Sequence, residues 1–205
     1  MTLALLALAT QIPAISFSVE EIPLNGSPRK VGSSKMNILW GERDSKNIVW
    51  TYEASDKMLT WRREWTYEKN GDLSFHSYDV AFGDFTRLWK LTKTDGKWEL
   101  TGSPTKLTKK LNLKDPSQFW FFHTPVKMGS KVGISILNPV EFSSDGGSAT
   151  FVRDERLPGK PNPFHVIDKR AGDTIEVWWV NDRGMPGQID LIFPASNSHT
   201  RFISE

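Results

Sequence analysis

Short runs of aromatic and β-branched residues, alternating with a period of two, constrain the fold of this chain more than any other feature. In the run 48–52, every second side chain is apolar and would share one face of a strand. The run 59–67 repeats the pattern, and only Arg63 interrupts its apolar face. The aligned residues of these two runs are Ile48, Trp50, Tyr52, Leu59, Trp61, Trp65 and Tyr67. This period predicts strands with one buried face, and no long amphipathic helix is visible.

Turn signals separate the runs at short intervals. Asn70-Gly71 is the strongest, because both positions tolerate positive φ and the pair joins hairpin strands. Further turns are predicted at Asp95-Gly96, Asp145-Gly146-Gly147, Ala171-Gly172-Asp173 and Arg183-Gly184. The predicted fold class is therefore all-β: a curved antiparallel meander sheet, forming a half-barrel or open barrel, with little helix.

The carboxyl-terminal part shows the same organisation. The alternating run 175–180 and the run 189–193 predict a two-stranded ribbon, and Phe202 and Ile203 predict an added edge strand. The proline-rich segment 158–163 is typical of an extended loop. A short helical turn is predicted only at 115–121, where Asp115-Pro116 resembles a cap followed by proline at the first helical position.

The amino terminus indicates export. Residues 1–10 form an apolar run that is too short to span a bilayer but has the length of a signal-peptide core, and Ala7-Leu8-Ala9 fits a cleavage site. The positively charged start of a signal peptide is missing, so a buried first segment is the alternative. We predict a signal peptide or disordered leader at 1–18 and a single β domain at 19–205, located in the periplasm or secreted. No transmembrane span is predicted.

Composition and motifs argue against most catalytic classes. The net charge of +2 lacks the cationic excess of a nucleic-acid binder, and there is no cysteine. The four histidines form no metal-binding pattern, and no nucleophile elbow, phosphate loop or dinucleotide fingerprint is present. His76 and Asp79 would lie on opposite strand faces, which argues against a base with an orienting carboxylate. We predict no catalytic residue, no metal and no cofactor.

We interpret the clusters of charged residues as structural features of turns and strand edges rather than as functional sites. Asp84, Asp173 and Asp182 lie beside turns, where aspartate commonly caps the backbone. Glu155, between Arg153 and Arg156, indicates a strand-edge charge cluster. The lysines at 106, 109, 110 and 114 could attract an anionic lipid or polysaccharide. The favoured interpretation is that they protect a sheet edge from pairing with other chains.

Tryptophan is the informative residue type, with nine in 205 residues. Some of these side chains can line the concave face of a curved sheet, where they would either enclose an apolar ligand or stack on sugars; the alternative is ordinary hydrophobic core. The predicted ligand-binding residues are Trp61, Trp65, Trp89, Trp98 and Trp120.

Residues 119–193 resemble an exported bacterial family of unknown function whose domains are long, curved antiparallel sheets. The resemblance is carried by the aromatic stretch 119–133, the strand Pro163–Val166 and the hairpin 177–189 with Trp179, Asp182, Gly184 and Pro186. It implies the curved-sheet fold and no catalytic residues. Envelope proteins that carry lipids or lipoproteins look broadly similar in architecture.

We therefore expect a non-enzymatic, monomeric envelope protein that binds an apolar ligand or an envelope partner on an aromatic concave face. The partner would be a lipid, a glycan or an envelope protein. A carbohydrate-binding module is the first alternative, and a carboxylate-dependent envelope hydrolase is the second.

Overall fold

A computed structural model describes residues 13–40, 45–95, 97–103, 107–111, 127–138 and 143–205. These residues form one sheet of fourteen strands, and the helical structure among them is a single 3-10 turn, Pro194–Ser196. The strands are β1 (Ile15–Glu21), β2 (Arg29–Trp40), β3 (Lys46–Ala54), β4 (Leu59–Tyr67), β5 (Leu73–Phe82), β6 (Phe85–Thr94), β7 (Lys97–Ser103), β8 (Leu107–Leu111), β9 (Lys131–Asn138), β10 (Ser143–Glu155), β11 (Phe164–Ala171), β12 (Thr174–Val180), β13 (Pro186–Phe193) and β14 (Ser198–Ser204).

The sheet consists of two meanders joined at the first and last strands. Its order is β8-β7-β6-β5-β4-β3-β2-β1-β14-β13-β12-β11-β10-β9, and every pairing is antiparallel. The join is the β1–β14 ladder, in which Phe17 pairs with Ser204 and Val19 with Phe202. Within the described residues β8 and β9 do not pair with each other, so the sheet is open. The predicted all-β, open meander is confirmed.

The sheet is strongly curved. Trp50 on β3 and Trp178 on β12 are five strand intervals apart in the sheet order, which would be about 24 Å in a flat sheet. Their ring centroids are 5.6 Å apart. Phe202 on β14 lies between them in the order and packs edge-on against Trp50 at 5.1 Å. Side chains from distant strands meet because the sheet wraps around one face, which we call the concave face.

The concave face holds the main hydrophobic core. Directly paired residues in an antiparallel ladder share a face, so the register transmits the alternation from strand to strand: Met36 pairs with Trp50, and Ile48 pairs with Trp65. The resulting cluster of buried side chains draws on β1 to β7 and on β9 to β14. The intervening residues face outward and are largely polar on β1 to β7. The alternation predicted for the runs 48–52 and 59–67 is confirmed.

A second, smaller cluster covers the outer face of the carboxyl-terminal meander. Trp179 on β12 packs there with Leu157, Phe164 and Val166. The loop that follows β10 supplies Leu157, so the segment between β10 and β11 covers apolar side chains that would otherwise face water. Buried side chains therefore lie on both faces of this part of the sheet, which explains why three successive residues at the end of β12, Trp178, Trp179 and Val180, are apolar and buried.

Most predicted turns are confirmed. Asn70-Gly71 joins β4 to β5, with Gly71 at φ 87° and its N–H donating to the Glu68 carbonyl at 2.9 Å. Positive φ at this position favours glycine. Gly172 and Gly184 likewise take positive φ between β11 and β12 and between β12 and β13. Asp95 lies between β6 and β7 as predicted, while Gly96 of the same predicted turn lies outside the described residues.

Two predictions about local structure are wrong. Asp145-Gly146-Gly147 is not a turn but part of β10, where Gly147 pairs with Ile134 on one side and Ala171 on the other. A side chain at Gly147 would collide with the Arg170 carbonyl, so this glycine permits close backbone approach within a strand. The strand with Phe202 is also not an edge strand, because β14 pairs with both β1 and β13.

Lys109 and Lys110 belong to β8, a terminal strand of the described sheet. Lys106 and Lys114 lie outside the described residues, so protection of a sheet edge by these lysines stays a prediction. The predicted leader, 1–18, overlaps the sheet, because Ile15 to Ser18 pair with β2. Residues 1–12 and the predicted helical turn at 115–121 lie outside the described residues. In the described part of the chain no helix has the length and apolar character needed to cross a membrane.

Trp50→Ala tests the packing across the concave face. The side chain is 1% exposed and contacts strands of both meanders, so its removal should lower the free energy of unfolding by about 3–5 kcal/mol. Chemical denaturation followed by circular dichroism measures this change. Glu53→Ala, on the exposed side of the same strand, should cost less than about 0.5 kcal/mol. Equal, small losses in both variants would contradict the curvature described above.

Candidate functional site: the concave face

The structure brings four of the five predicted tryptophans to the concave face. Trp65, Trp89 and Trp98 are 0%, 3% and 5% exposed and belong to the core, while Trp61 is half-buried and packs against it. Trp120 lies outside the described residues. Because the first three are enclosed, they do not form an exposed row for stacking on sugars. Whether any of these side chains contacts a ligand stays a prediction.

The accessible part of the concave face is aromatic. Tyr52, Trp61 and Tyr78 are half-buried and lie on the adjacent strands β3, β4 and β5. Tyr52 pairs with Trp61, and the Tyr78 ring lies diagonally across from Trp61, with centroids 6.4 Å apart. The rings of Tyr52 and Trp61 are stacked, with centroids 5.7 Å apart and planes at 25°. Trp61 also meets the buried Trp50 edge-on at 5.0 Å. We call these three residues the aromatic patch; it is continuous with the core beneath it.

The Arg63 side chain lies against two rings of the aromatic patch, those of Trp61 and Tyr78. Its strand neighbours in register are Trp50 and Tyr78, both on the concave face. The guanidinium carbon is 4.7 Å from the Tyr78 ring centroid and 5.3 Å from that of Trp61. Such cation–π contacts contribute about 0.5–2 kcal/mol each. Among the described residues no carboxylate forms an ion pair with this guanidinium, and Glu64, the next residue on β4, is paired with Arg62 instead.

Lys169 is a fully buried cation on the opposite side of the concave face. Its ammonium is 3.5 Å from Glu176 Oε2 and 4.1 Å from the ring centroid of Trp178. The Trp178 indole N–H donates to the same carboxylate oxygen at 3.0 Å. Burial lowers the pKa of Lys169 to about 8, opposed by the attraction of Glu176, and the positive charge of Arg63 lowers it further. The charge of Arg63 therefore affects the protonation of Lys169, although β4 and β11 are far apart in the order of the sheet.

His76 and Trp89 add two polar groups beneath the patch. His76 stacks on Trp65 at 4.6 Å and meets Trp89 edge-on at 4.7 Å. Burial, followed by the charge of Arg63, lowers the pKa of His76 well below its ordinary value, so the imidazole is neutral at pH 7. Neither His76 Nε2 nor the Trp89 indole N–H has a hydrogen-bond partner in the described structure. Buried polar groups of this kind are rare in folded proteins.

His76 and Asp79 lie on opposite faces, as predicted: the histidine is buried and the carboxylate is exposed. Asp79 instead lines a groove of about 550 Å³ on the outer face of β1 to β5. The charged groove residues on β2 to β5 are Lys35, Arg62, Glu53 and Asp79, so cations and anions are mixed along it. This balance indicates a solvated polar surface.

A histidine between two carboxylates was not predicted. His165 Nδ1 lies 2.7 Å from Asp154 Oδ1, and its Nε2 lies 2.9 Å from Asp182 Oδ1. The sequence placed Asp182 at a turn and did not show that β11 pairs with both β10 and β12, which brings the three together. Over the described ranges no group of three or more histidine and acidic residues has the arrangement of a metal site.

Comparison with known proteins gives a fold and no activity. No family model matches the chain, and no curated protein matches it. Among solved structures, the crystal structure of a β-barrel-like protein of the domain of unknown function DUF1849 from Brucella abortus matches with a TM-score of 0.67, over 94% of this chain and 95% of that chain. The two proteins share a fold. Sequence identity is 7%, so the likeness is one of fold alone.

This match confirms, at the level of the fold, the predicted resemblance to bacterial domains of unknown function with a long curved sheet. The strand that begins at Phe164 and the hairpin of β12 and β13, on which the resemblance depended, are both present. Part of the aromatic stretch 119–133 lies outside the described residues.

The lowered pKa of Lys169 predicts a pH-dependent stability. The folded state releases this proton near pH 8 and the unfolded state near pH 10.5, so between these values the unfolded state binds more protons and the free energy of unfolding rises with pH. Lys169→Met should remove this contribution and flatten the rise. Denaturation curves from pH 7.5 to 10.5 measure it. Lys35→Met, an exposed outer-face control, should keep the wild-type slope; equal slopes in all three proteins would contradict the lowered pKa.

Proposed function

We propose that this protein is a non-catalytic binding protein of the bacterial cell envelope whose concave face holds an apolar ligand, such as an acyl chain. The observation that carries the proposal is the aromatic patch: Tyr52, Trp61 and Tyr78 are half-buried on the concave side of the sheet and continuous with a core rich in tryptophan. Apolar surface that is concave and only partly covered is the usual character of a small-molecule site.

The buried tryptophans support the same proposal. Trp65, Trp89 and Trp98 give the concave face a rigid apolar floor, and Trp61 is the member that a ligand can reach. Aromatic rings offer large apolar area with little loss of side-chain entropy. A sugar-binding platform would need several exposed rings in a row, which Trp65, Trp89 and Trp98 do not provide.

Binding of a neutral apolar probe tests the proposal. N-phenyl-1-naphthylamine becomes fluorescent in an apolar site, and we expect saturable binding to the full chain. Trp61→Ala should weaken this binding at least about ten-fold, which is the loss expected for a central aromatic contact. The half-buried position of Trp61 makes the variant compatible with folding, which thermal unfolding would verify.

Phe75→Ala is the matched control, because Phe75 is a half-buried aromatic residue of β5 that points away from the concave face. It should leave probe binding unchanged. A wild-type protein that binds neither this probe nor acyl lipids, but does bind an envelope glycan, would refute the apolar site and support the sugar-binding alternative.

The location in the envelope requires its own test. A reporter that is active only after export, fused to the first 20 residues, should become active, because residues 1–10 have the apolar length of a signal core. Replacing Leu5 and Leu6 by arginine should abolish the activity by interrupting the apolar run. An inactive wild-type fusion would contradict export and favour an intracellular protein.

A further inference from the structure

Among the side chains that the structure describes, those of the concave face carry more positive than negative charge. Arg63 and Lys169 are its central cations, and Glu176 is the carboxylate that lies with them. Nearer the ends of the face, Lys46 and Arg87 add further positive charges with interactions of their own.

Two carboxylates near strand ends, Glu21 on β1 and Asp154 on β10, do not offset this excess. Glu21 is paired with Arg29, and Asp154 is hydrogen-bonded to His165. Burial of a cation is unfavourable unless an anion accompanies it.

Glu176 is already engaged by its neighbours. One of its oxygens lies near the Lys169 ammonium and also accepts the hydrogen bond of the Trp178 indole. Arg63, in contrast, is held by the faces of two aromatic rings. Cation–π contact leaves the edge of the guanidinium plane, where its N–H donors point, open to an acceptor.

We propose that the concave face binds an amphiphile with an acidic head group, a carboxylate or a phosphate, held by Arg63 and attracted by Lys169, with its apolar chain on the aromatic patch. This inference rests on the proposed function and names the class of its ligand. A guanidinium binds either oxyanion through two parallel hydrogen bonds, and the second cation adds attraction in an environment of low dielectric constant. Rings beside the head-group site provide the apolar contact for the chain.

The wild-type protein alone gives the first test. Displacement of N-phenyl-1-naphthylamine by oleate and by methyl oleate compares the same chain with and without the charge. We expect oleate to bind at least about ten-fold more tightly, the scale of a hydrogen bond between charged groups. Phosphatidic acid against diacylglycerol makes the same comparison for a phosphate, and the tighter of the two acids identifies the head group.

Arg63→Gln should remove the preference for the acid, measured within the variant as the ratio of its affinities for oleate and methyl oleate. A general loss of packing in the patch would lower both affinities equally and leave this ratio unchanged. Arg62→Gln is the matched control, because Arg62 is the adjacent residue on the exposed outer face; it should retain the full preference. Arg63→Lys keeps the charge without the planar fork and should retain part of it. Circular dichroism and thermal unfolding verify that the variants are folded.

The outcomes separate the two proposals. Equal affinity for acid and ester in the wild-type protein, or an Arg63→Gln variant with an undiminished preference, would overturn the acidic head group while binding of the neutral probe still supports an apolar site. If neither the probe nor any lipid binds, the proposed function itself fails.

Discussion

Burial of one apolar face is the constraint on which this structure depends. A sheet of fourteen strands that stayed flat would expose that face to water, and the helical structure in the described residues, a single 3-10 turn, is too short to cover it. The sheet instead wraps on itself, so that Trp50, Trp178 and Phe202 from three separate strands meet in one aromatic cluster. The aromatic patch, the buried lysine and the cluster around His165 all take their positions from this curvature and from the strand register.

The same curvature explains the unusual electrostatics of the concave face. Arg63 and Lys169 occur on β4 and β11, which lie in different meanders, and each is an ordinary strand residue in its local sequence. Only wrapping brings their charges close enough for one to affect the pKa of the other. A sheet that was merely twisted would leave both cations in water, where their mutual repulsion would be screened.

Local features of the fold were predictable from the sequence. The alternation of Ile48, Trp50 and Tyr52 identified the buried face of β3, and Asn70-Gly71 identified the hairpin of β4 and β5, because side-chain period and turn geometry are local properties. Gly146 and Gly147 were misread because glycine permits both a turn and close strand packing, and only the position of Arg170 distinguishes the two. The interior position of β14 depends on its pairing with β1, which no local pattern records.

The candidate site was predictable in part for the same reason. Tryptophan content indicated an aromatic concave face, and Arg63 was visible as an interruption of an apolar alternation, but its proximity to Lys169 depends on non-local pairing. Partial exposure of Trp61 beside the complete burial of Trp65 also follows from packing across the sheet, since the two residues have the same parity on β4.

The β1–β14 ladder has a consequence for the order in which the protein can fold. During synthesis β1 emerges long before its partner β14, so one edge of β1 stays unpaired while the intervening strands form. Contacts between residues so distant in sequence carry a high loop-closure cost and slow the folding of β-proteins. An unpaired strand edge is also the surface at which chains associate wrongly. The seven-residue strand β14 therefore joins the two meanders and covers the edge of β1 that would otherwise remain open.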